Sequence, residues 1–482
     1  MLYVESVPST HQSCIVMRPA ILLPLIACLL VAPAAAQSSE STARSIPDTY
    51  TPAQSAPMDP DVPTVLPMRE RATTINQMLA ERLDTLLPML MRRADVDMWI
   101  VMAREYNEDP VLKTMLPATW LSARRRTILV FHDRGPEKGV DRMAIARYDV
   151  SDLFPSVWDK EQQPDQWARL AEIVSERDPQ SIAVNRSETF ALADGMTDTE
   201  YAQLREALPA SYRNRLMSDD RLAIGWLETR SDMEQTVYPM IVRTAHAIIA
   251  DGFSEQVIQP GVTTTADVEW WYRERIRDHG FTAWFHPSVS IQRRGMGEDG
   301  DFSSDAEAAV IQPGDLLHVD FGITYLRLNT DTQQHAYVRR PGETDAPEGL
   351  KTALRVGNRL QDHLTDQFAT GRTGNEILAA AVAAARAEGI RPTIYTHPIG
   401  HHGHGAGPTI GLWDQQEGVP GRGDYPLYPN TAYSIELNAK TSIPAWEGQD
   451  ILIKLEEDAF FDGETVRYLD GRQTQLYLIP RP

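Results

Sequence analysis

Apolar residues follow two spacings along this chain, and each change of spacing marks a change of element. In "ERATTINQMLAERLDTLLPMLMRRADVD", Ile75, Met78, Leu79, Leu83 and Leu86 recur at the three-and-four spacing of one helix face. The pattern then gives way to "MWIVMA" (98–103), a short apolar run that predicts a buried strand. "RTILVFH" (126–132), "RMAIARYDV" (142–150) and "SIAVN" (181–185) predict further strands, with helical patterns between them. Residues 69–226 therefore read as an α/β domain. It contains no glycine-rich phosphate loop, no paired-histidine metal motif and no nucleophile elbow, so no chemistry is assigned to it. A second domain, 227–482, opens with a long helix in "SDMEQTVYPMIVRTAHAIIADGFSEQVI", with Ser231 or Asp232 as its cap. "QPGVTTTADVEWWYRERIRDHG" adds a turn and a second helix, whose Trp270 and Trp271 are expected in the core or an interface. Strands follow to the C-terminus.

Three of those strands carry acids on their polar faces. In "HVDFGITYLRLNTD", alternation puts Leu317, Val319, Phe321 and Ile323 on a buried face and His318 and Asp320 on the other. A fold-back between Tyr325 and Asn329 would bring Asp331 onto the neighbouring strand, close to Asp320. Two carboxylates so placed repel unless a proton or a cation lies between them. "AYSIELN" sets Tyr433, Ile435 and Leu437 opposite Ser434, Glu436 and Asn438. "ILIKLEEDAFF" sets Ile451, Ile453 and Leu455 opposite Lys454 and Glu456, and leaves Glu457 off the Glu436-like face. Between the aspartates and the glutamates lies "THPIGHHGHGAGPTIG", with four histidines among glycines. Each acid alone is an ordinary solvated strand residue. Together, between apolar strands, they would be costly buried charges without a partner. Four carboxylates and an imidazole make a hard, oxygen-rich site suited to manganese, iron, cobalt or zinc, with charge enough for two divalent ions.

Charge and composition narrow the classes. At −21 over 482 residues the chain lacks the basic face that a nucleic-acid binder needs. Residues 1–36 read as a leader: in "MRPAILLPLIACLLVAPAAAQ", Arg18 precedes an apolar run from Ala20 to Ala32 and the small-residue site Ala34-Ala35-Ala36. The run is short for a membrane span. "LIAC" also resembles a lipoprotein cleavage site, although an apolar "LLVAPAAA" would be an odd start for a mature lipoprotein. The two cysteines, Cys14 and Cys28, both lie in this leader, so the mature protein is expected to have no thiol nucleophile, no Cys-ligated zinc and no disulfide. Residues 37–68, rich in Ser, Thr, Pro and Ala, read as a flexible lead-in.

The order of Asp320, Asp331, "GHGAG", "SIE" and "LEED" resembles the pita-bread metallopeptidases: methionine aminopeptidase, Xaa-Pro aminopeptidase, prolidase and their metal-free relative creatinase. The resemblance covers the chain from about Leu227 onward, and the preceding domain is similar to the N-terminal domain of the Xaa-Pro and creatinase branch. It implies a fold in which an α/β N-terminal domain precedes an α+β pita-bread catalytic domain. It implies metal ligands at Asp320, Asp331, one histidine, Glu436 and Glu456. "GHGAG" is similar to the methionine aminopeptidase motif and ranks His404 first as the ligand, ahead of His402 and His401, while His397-x-x-x-His401 resembles the paired histidines of the Xaa-Pro branch. Glu436 is then both ligand and proton shuttle, and His397 and His402 face the substrate.

Three departures qualify the substrate class. A histidine usual before the first aspartate is missing from "EDGDFSSD", for which His286 is a candidate replacement; Gln334 stands where an arginine is usual; and "PTIGLWDQQ" lacks a further histidine. The implied function is an exported, periplasmic or secreted dinuclear exopeptidase of the Xaa-Pro aminopeptidase type, hydrolysing peptide N-termini by a metal-bridged hydroxide. Manganese is the favoured metal, with cobalt, zinc or iron as alternatives, and a homodimer is expected. A prolidase-like dipeptidase or a non-peptide amide hydrolase would use the same metals. A non-catalytic binding module would show lost ligands, and none is lost. N-terminal sequencing of the mature protein is expected to read from Gln37; retention of Met17, or lipid on Cys28, would refute the leader assignment.

Overall fold

The computed structural model describes residues 65–296 and 308–482; the leader, most of the lead-in and the "EDGDFSSD" segment lie outside the described residues. Helix α1 (Met68–Glu81) passes through a π-turn at Arg82–Leu86 into α2 (Leu87–Ala94). Five strands follow: β1 (Met98–Arg104), β2 (Arg126–Asp133), β3 (Val140–Ile145), β4 (Ile182–Val184) and β5 (Leu216–Ser218). They form one sheet in the order β3-β2-β1-β4-β5. Helices α3 (Pro110–Met115), α4 (Gln166–Arg177), α5 (Asp198–Ala207), α6 (Ala210–Arg213) and α7 (Asp220–Glu228) complete this part. Alternation along β1 explains why both sheet faces are covered. Trp99, Val101 and Ala103 enter the core shared with α2, α3 and α7, whereas Met98, Ile100 and Met102 enter the core shared with α4 and α5. Helix α7 runs across the expected domain boundary, ending at Glu228, and buries Leu222, Trp226 and Leu227.

The second part begins with α8 (Asp232–Gly252), started by a capping box in which Ser231 and Glu234 satisfy each other's backbone N–H. After α9 (Thr265–Asp278) come β6 (Ser288–Gln292), β7 (Leu316–Phe321), the hairpin β8 (Thr324–Tyr325) and β9 (Leu328–Asn329), and β10 (Thr332–Val338). Helices α10 (Glu348–Thr365) and α11 (Gly374–Ala387) lead to β11 (Arg391–Ile394), β12 (His397–Pro398), β13 (Thr431–Ser434), β14 (Leu437–Ile443), β15 (Gln449–Leu455), β16 (Asp458–Phe461), β17 (Val466–Tyr468) and β18 (Tyr477–Ile479). Besides the two-stranded β8-β9 sheet, three sheets form among the described residues of this part, in the orders β18-β10-β7-β6, β11-β14-β15 and β12-β13-β16-β17. Leu317, Val319, Phe321 and Ile323 pack into the core under α8 and α9. Trp271 packs against that core as well, but Trp270 is 62% exposed, because the next position on a helix turns about 100° away from the buried face.

The stretches expected as single strands, "AYSIELN" and "ILIKLEEDAFF", are each broken at the acid. Strand β13 stops at Ser434 and β14 restarts at Leu437 in a different sheet; β15 stops at Leu455 and β16 restarts at Asp458. The side chains still alternate through each break, with Tyr433, Ile435, Leu437, Ile453 and Leu455 in one core. Alternation alone therefore cannot reveal the bend.

Buried charge joins the two parts. Arg82, in the π-turn, donates from Nη1 to Glu234 Oε2 (2.8 Å) and to the Thr229 carbonyl (2.7 Å), and from Nη2 to the Trp226 carbonyl. Arg230 Nη1 stands 3.4 Å from the same Glu234 oxygen, with both side chains fully buried. An added Cβ at Gly400 would fall 2.8 Å from the Arg230 guanidinium carbon, so only glycine lets the histidine-bearing loop lie against it. His401 Nε2 lies 3.4 Å from Glu234 Oε1. The described residues, 65–296 and 308–482, fall in one compact unit. No helix among the described residues is long and apolar enough to cross a membrane. Arg82→Met should lower the free energy of unfolding by about 3–5 kcal/mol, the scale for stranding one partner of a buried ion pair, and chemical denaturation measures it.

Candidate metal centre

Six side chains converge where the strands change sheet. Asp320 lies near the end of β7, and its register partner on β10 is Gln333. Asp331 sits just before β10, carried there by the β8–β9 hairpin. His397 opens β12 opposite Ser434, and Ser434 in turn faces Asp458 across β13 and β16. Glu436 and Glu456 occupy the two strand breaks. Ligand atoms of Asp320, Asp331 and Glu456 lie within 4.8 Å of one another, as do those of His397, Glu436 and Glu456, and those of Asp331, His397 and His404. His397 Nε2 is 3.7 Å from Asp331 Oδ2, 3.8 Å from Glu436 Oε2 and 3.5 Å from Glu456 Oε1. Its other nitrogen lies 3.0 Å from the Pro398 carbonyl, a bond that puts a proton on Nδ1 and turns the lone pair of Nε2 toward the acids.

The electrostatics call for a cation. Burial, then the neighbouring Glu456, push the Asp320 carboxyl well above the usual range; burial, Glu456 and Asp320 do the same to Asp331. Burial, Glu456 and Asp320 also raise Glu436. Asp320 Oδ1, Asp331 Oδ1 and His397 Nε2 are buried without a hydrogen-bond partner. Orphaned acceptors of one kind, converging within a few ångströms, match a divalent-metal donor set: four carboxylates and an imidazole suit hard or borderline ions. These residues fit the metals implied by the sequence resemblance.

The remaining histidines are distributed unevenly. His404 is exposed, stands edge-on to His397 with ring centroids 4.8 Å apart, and reaches Asp331 from the open side. Burial, then the nearby His397, lower its basicity. His402 belongs to none of the three groups; burial and Arg230 push its imidazole down to about 4. His401 turns away toward Glu234 and the Arg327 carbonyl. His286 stands against Trp270, with centroids 4.9 Å apart, and joins no group either.

Several residues around the site escaped the sequence reading. Gln333 Nε2 donates to Glu436 Oε1 (2.6 Å) and Glu456 Oε2 (2.7 Å), while its Oε1 meets His318 Nε2 at 2.9 Å. The two glutamate oxygens, as acceptors, fix which end of the amide faces them. Its signal was present: two positions after Asp331 on a strand is the same face. Ser434 Oγ donates to Glu456 Oε1 (2.6 Å), and the Asp331 N–H donates to Asp458 Oδ2 (3.2 Å). Trp284 Nε1 donates to the Thr330 carbonyl (2.9 Å) and the indole stands against His404, with ring centroids 5.3 Å apart.

Residues 241–462 match the model of metallopeptidase family M24. No curated protein matches the chain. Among solved structures, an X-Pro aminopeptidase from Thermotoga maritima is similar at 16% identity and a TM-score of 0.58, covering 81% of this chain and 99% of its own. An Xaa-Pro dipeptidase from Bacillus anthracis is similar at 17% identity and 0.54, covering 86% and 100%. The proline aminopeptidase P II of Yersinia pestis is similar at 14% identity and 0.52, covering 84% and 96%. At such identities the likeness speaks for a shared fold over most of the chain.

Gln333→Leu should weaken divalent-metal binding about 10–100-fold, the usual effect of losing a partner that orients ligands, with the circular dichroism spectrum unchanged. Titration of the metal-free protein with zinc reads this directly.

Proposed function

From a chain whose residues 241–462 match the model of metallopeptidase family M24, we propose an exported exopeptidase of the Xaa-Pro aminopeptidase type, with two divalent ions held by Asp320, Asp331, His397, Glu436 and Glu456. The observation that carries the assignment is the His397 nitrogen, buried, unpartnered and within 3.8 Å of three carboxylates. It favours His397 over His404 as the nitrogen ligand. His404, exposed at the mouth beside Trp284, is then free to meet substrate.

When bound, the two ions supply Lewis acidity at the scissile carbonyl and lower the pKa of water enough for attack at neutral pH. The protein's own residues do the rest. Gln333 pins Glu436 through Oε1 and leaves Oε2 toward His397, placed to take the proton of the attacking water and pass it to the departing amine. His404 donates to the carbonyl oxygen as charge develops there. Trp284 offers an apolar ring to the substrate side chain beside the bond to be cut.

Similarity to both an aminopeptidase and a dipeptidase leaves a prolidase-like activity as the nearest rival. Manganese is the proposed metal, a homodimer the proposed assembly, and the periplasm or the exterior the proposed location, the last on the sequence of residues 17–37. Metal analysis of the purified protein, with hydrolysis of Xaa-Pro-Xaa tripeptides compared with Xaa-Pro dipeptides, tests the reading; activity confined to dipeptides moves it to the rival. His397→Ala is expected to lose metal and activity together. His404→Ala should keep its metal and lose turnover about 10²-fold, the scale for removing one positioned proton or oxyanion group. Metal lost from His404→Ala and kept by His397→Ala would return the ligand role to His404.

A further inference from the structure

The hairpin that joins Asp320 to Asp331 has an unfavourable turn at its tip. Strands β8 and β9 form a sheet of two, pairing Thr324 with Asn329 and Tyr325 with Leu328. A two-stranded hairpin is marginal in water by itself. Between the strands, Leu326 and Arg327 both hold positive φ, 51° and 69°. A two-residue turn of that kind favours Asn-Gly, because most residues with a Cβ are strained in the left-handed region. Neither Leu nor Arg suits it, so contacts from outside the hairpin have to impose it.

Those contacts come largely from the N-terminal part. Leu326 is buried in the core under α8 and α9. Arg327 Nη1 donates to the carbonyls of Thr114 (3.2 Å) and Leu116 (2.6 Å), where α3 ends. The last carbonyls of a helix lack an amide of their own helix to bond, and the helix dipole favours a cation beside them. On the other side of the turn, the Arg71 guanidinium of α1 stands 5.1 Å from the centre of the Tyr325 ring. The tip thus touches the N-terminal part at both α1 and α3. From there the chain runs straight to the metal centre. The Arg327 carbonyl meets His401 Nδ1 at 3.3 Å, and the Asn329 backbone and side-chain amides both donate to the Gly400 carbonyl at 2.9 Å. Asp331 follows two residues later.

We propose that Arg327 is a positioning residue for the metal centre: by clamping the hairpin tip on the end of α3, it fixes where Asp331 meets His397 and Glu456. The inference rests on the proposed metal site, and it makes the N-terminal part a determinant of metal affinity although that part supplies no ligand. Without the clamp, nothing holds residue 327 to its place on α3, and the short hairpin can pivot about its base. There the Thr330 N–H bonds the Ile323 carbonyl at 2.9 Å. Asp331 lies at that base, between the hairpin and β10, so a pivot re-aims its carboxylate. Asp320 is spared, because it sits inside β7 and pairs on both sides, with Ser288 and Gln333.

The test uses the full-length protein stripped of metal and titrated with zinc, with hydrogen–deuterium exchange followed over residues 322–332. Arg327→Gly removes the clamp and at the same time suits the turn, since glycine takes a positive φ without strain. A residue that served the turn alone would be replaced without loss. Arg327→Gly is instead expected to bind zinc about 10–100-fold more weakly than wild type, as for other partners that orient ligands, and to exchange its hairpin amides faster. Zinc affinity equal to wild type, or weakened affinity with hairpin exchange unchanged, overturns the proposal. If Arg327→Gly does not fold, Arg327→Met, which keeps an apolar stem and loses the donors, is judged by the same two measurements. Failure of both variants to fold makes Arg327 a folding residue and overturns the proposal as well. Wild-type protein that binds no zinc overturns the metal site itself, which separates the two failures.

Discussion

Asp320, Asp331, Glu436 and Glu456 reach one place from four different strand ends, and their mutual repulsion is the constraint the C-terminal part has to withstand. Two unit charges about 4 Å apart repel by roughly 4 kcal/mol at an effective dielectric constant near 20, and several such pairs act here at once. Neither protons nor hydrogen bonds relieve them fully, since Asp320 and Asp331 each keep an orphaned oxygen. The surroundings are arranged to hold the acids in place against that force. Gln333 ties Glu436 to Glu456, Ser434 ties Glu456 to the strand beside it, and Asp458 takes the Asp331 N–H. A cation comes close without entering: Lys454, itself buried, lies near enough to Asp320 and Glu436 to temper their rise.

The histidine loop is held from the other side. Gly400 lies on Arg230, His401 faces Glu234, and Arg82 of the N-terminal part closes the network. The loop that begins at His397 and carries His404 is therefore braced by a helix that precedes it by more than three hundred residues in sequence. The N-terminal part accordingly acts on the site through a positioned backbone and contributes no residue to the three ligand groups.

What the sequence revealed and what it hid follow from the range of the interactions. The buried face Leu317, Val319, Phe321 and Ile323, and the fold-back before Asp331, are local patterns, and both occur as read. The acids of "SIEL" and "LEED" could be placed on a face by alternation alone. The strand breaks at those acids could not, because side chains keep alternating while the backbone passes from one sheet to the next. Motif similarity favoured His404, and the fold brings both His404 and His397 to Asp331; the cross-strand pairing that places His397 opposite Ser434 is non-local and leaves no trace in either segment. Arg327 was hidden for a related reason. At a fold-back it looks like a solvated turn residue, and only the fold brings the Thr114 and Leu116 carbonyls to its guanidinium.

The broken strands also limit how this chain can vary in length. Every side chain from Thr431 to Ile443 takes its face from its parity along the strand, so a single inserted or deleted residue upstream of Glu436 within that run would turn the carboxylate into the core and Ile435 or Leu437 into the pocket. The same holds from Gln449 to Phe461 for Glu456. Point substitutions on the outer faces of α10 and α11 leave that parity untouched. Descendants of this sequence can thus drift freely in composition on the helical side, while gain or loss of residues must fall in segments such as 339–347 or 413–426, where the chain is not reading out a strand.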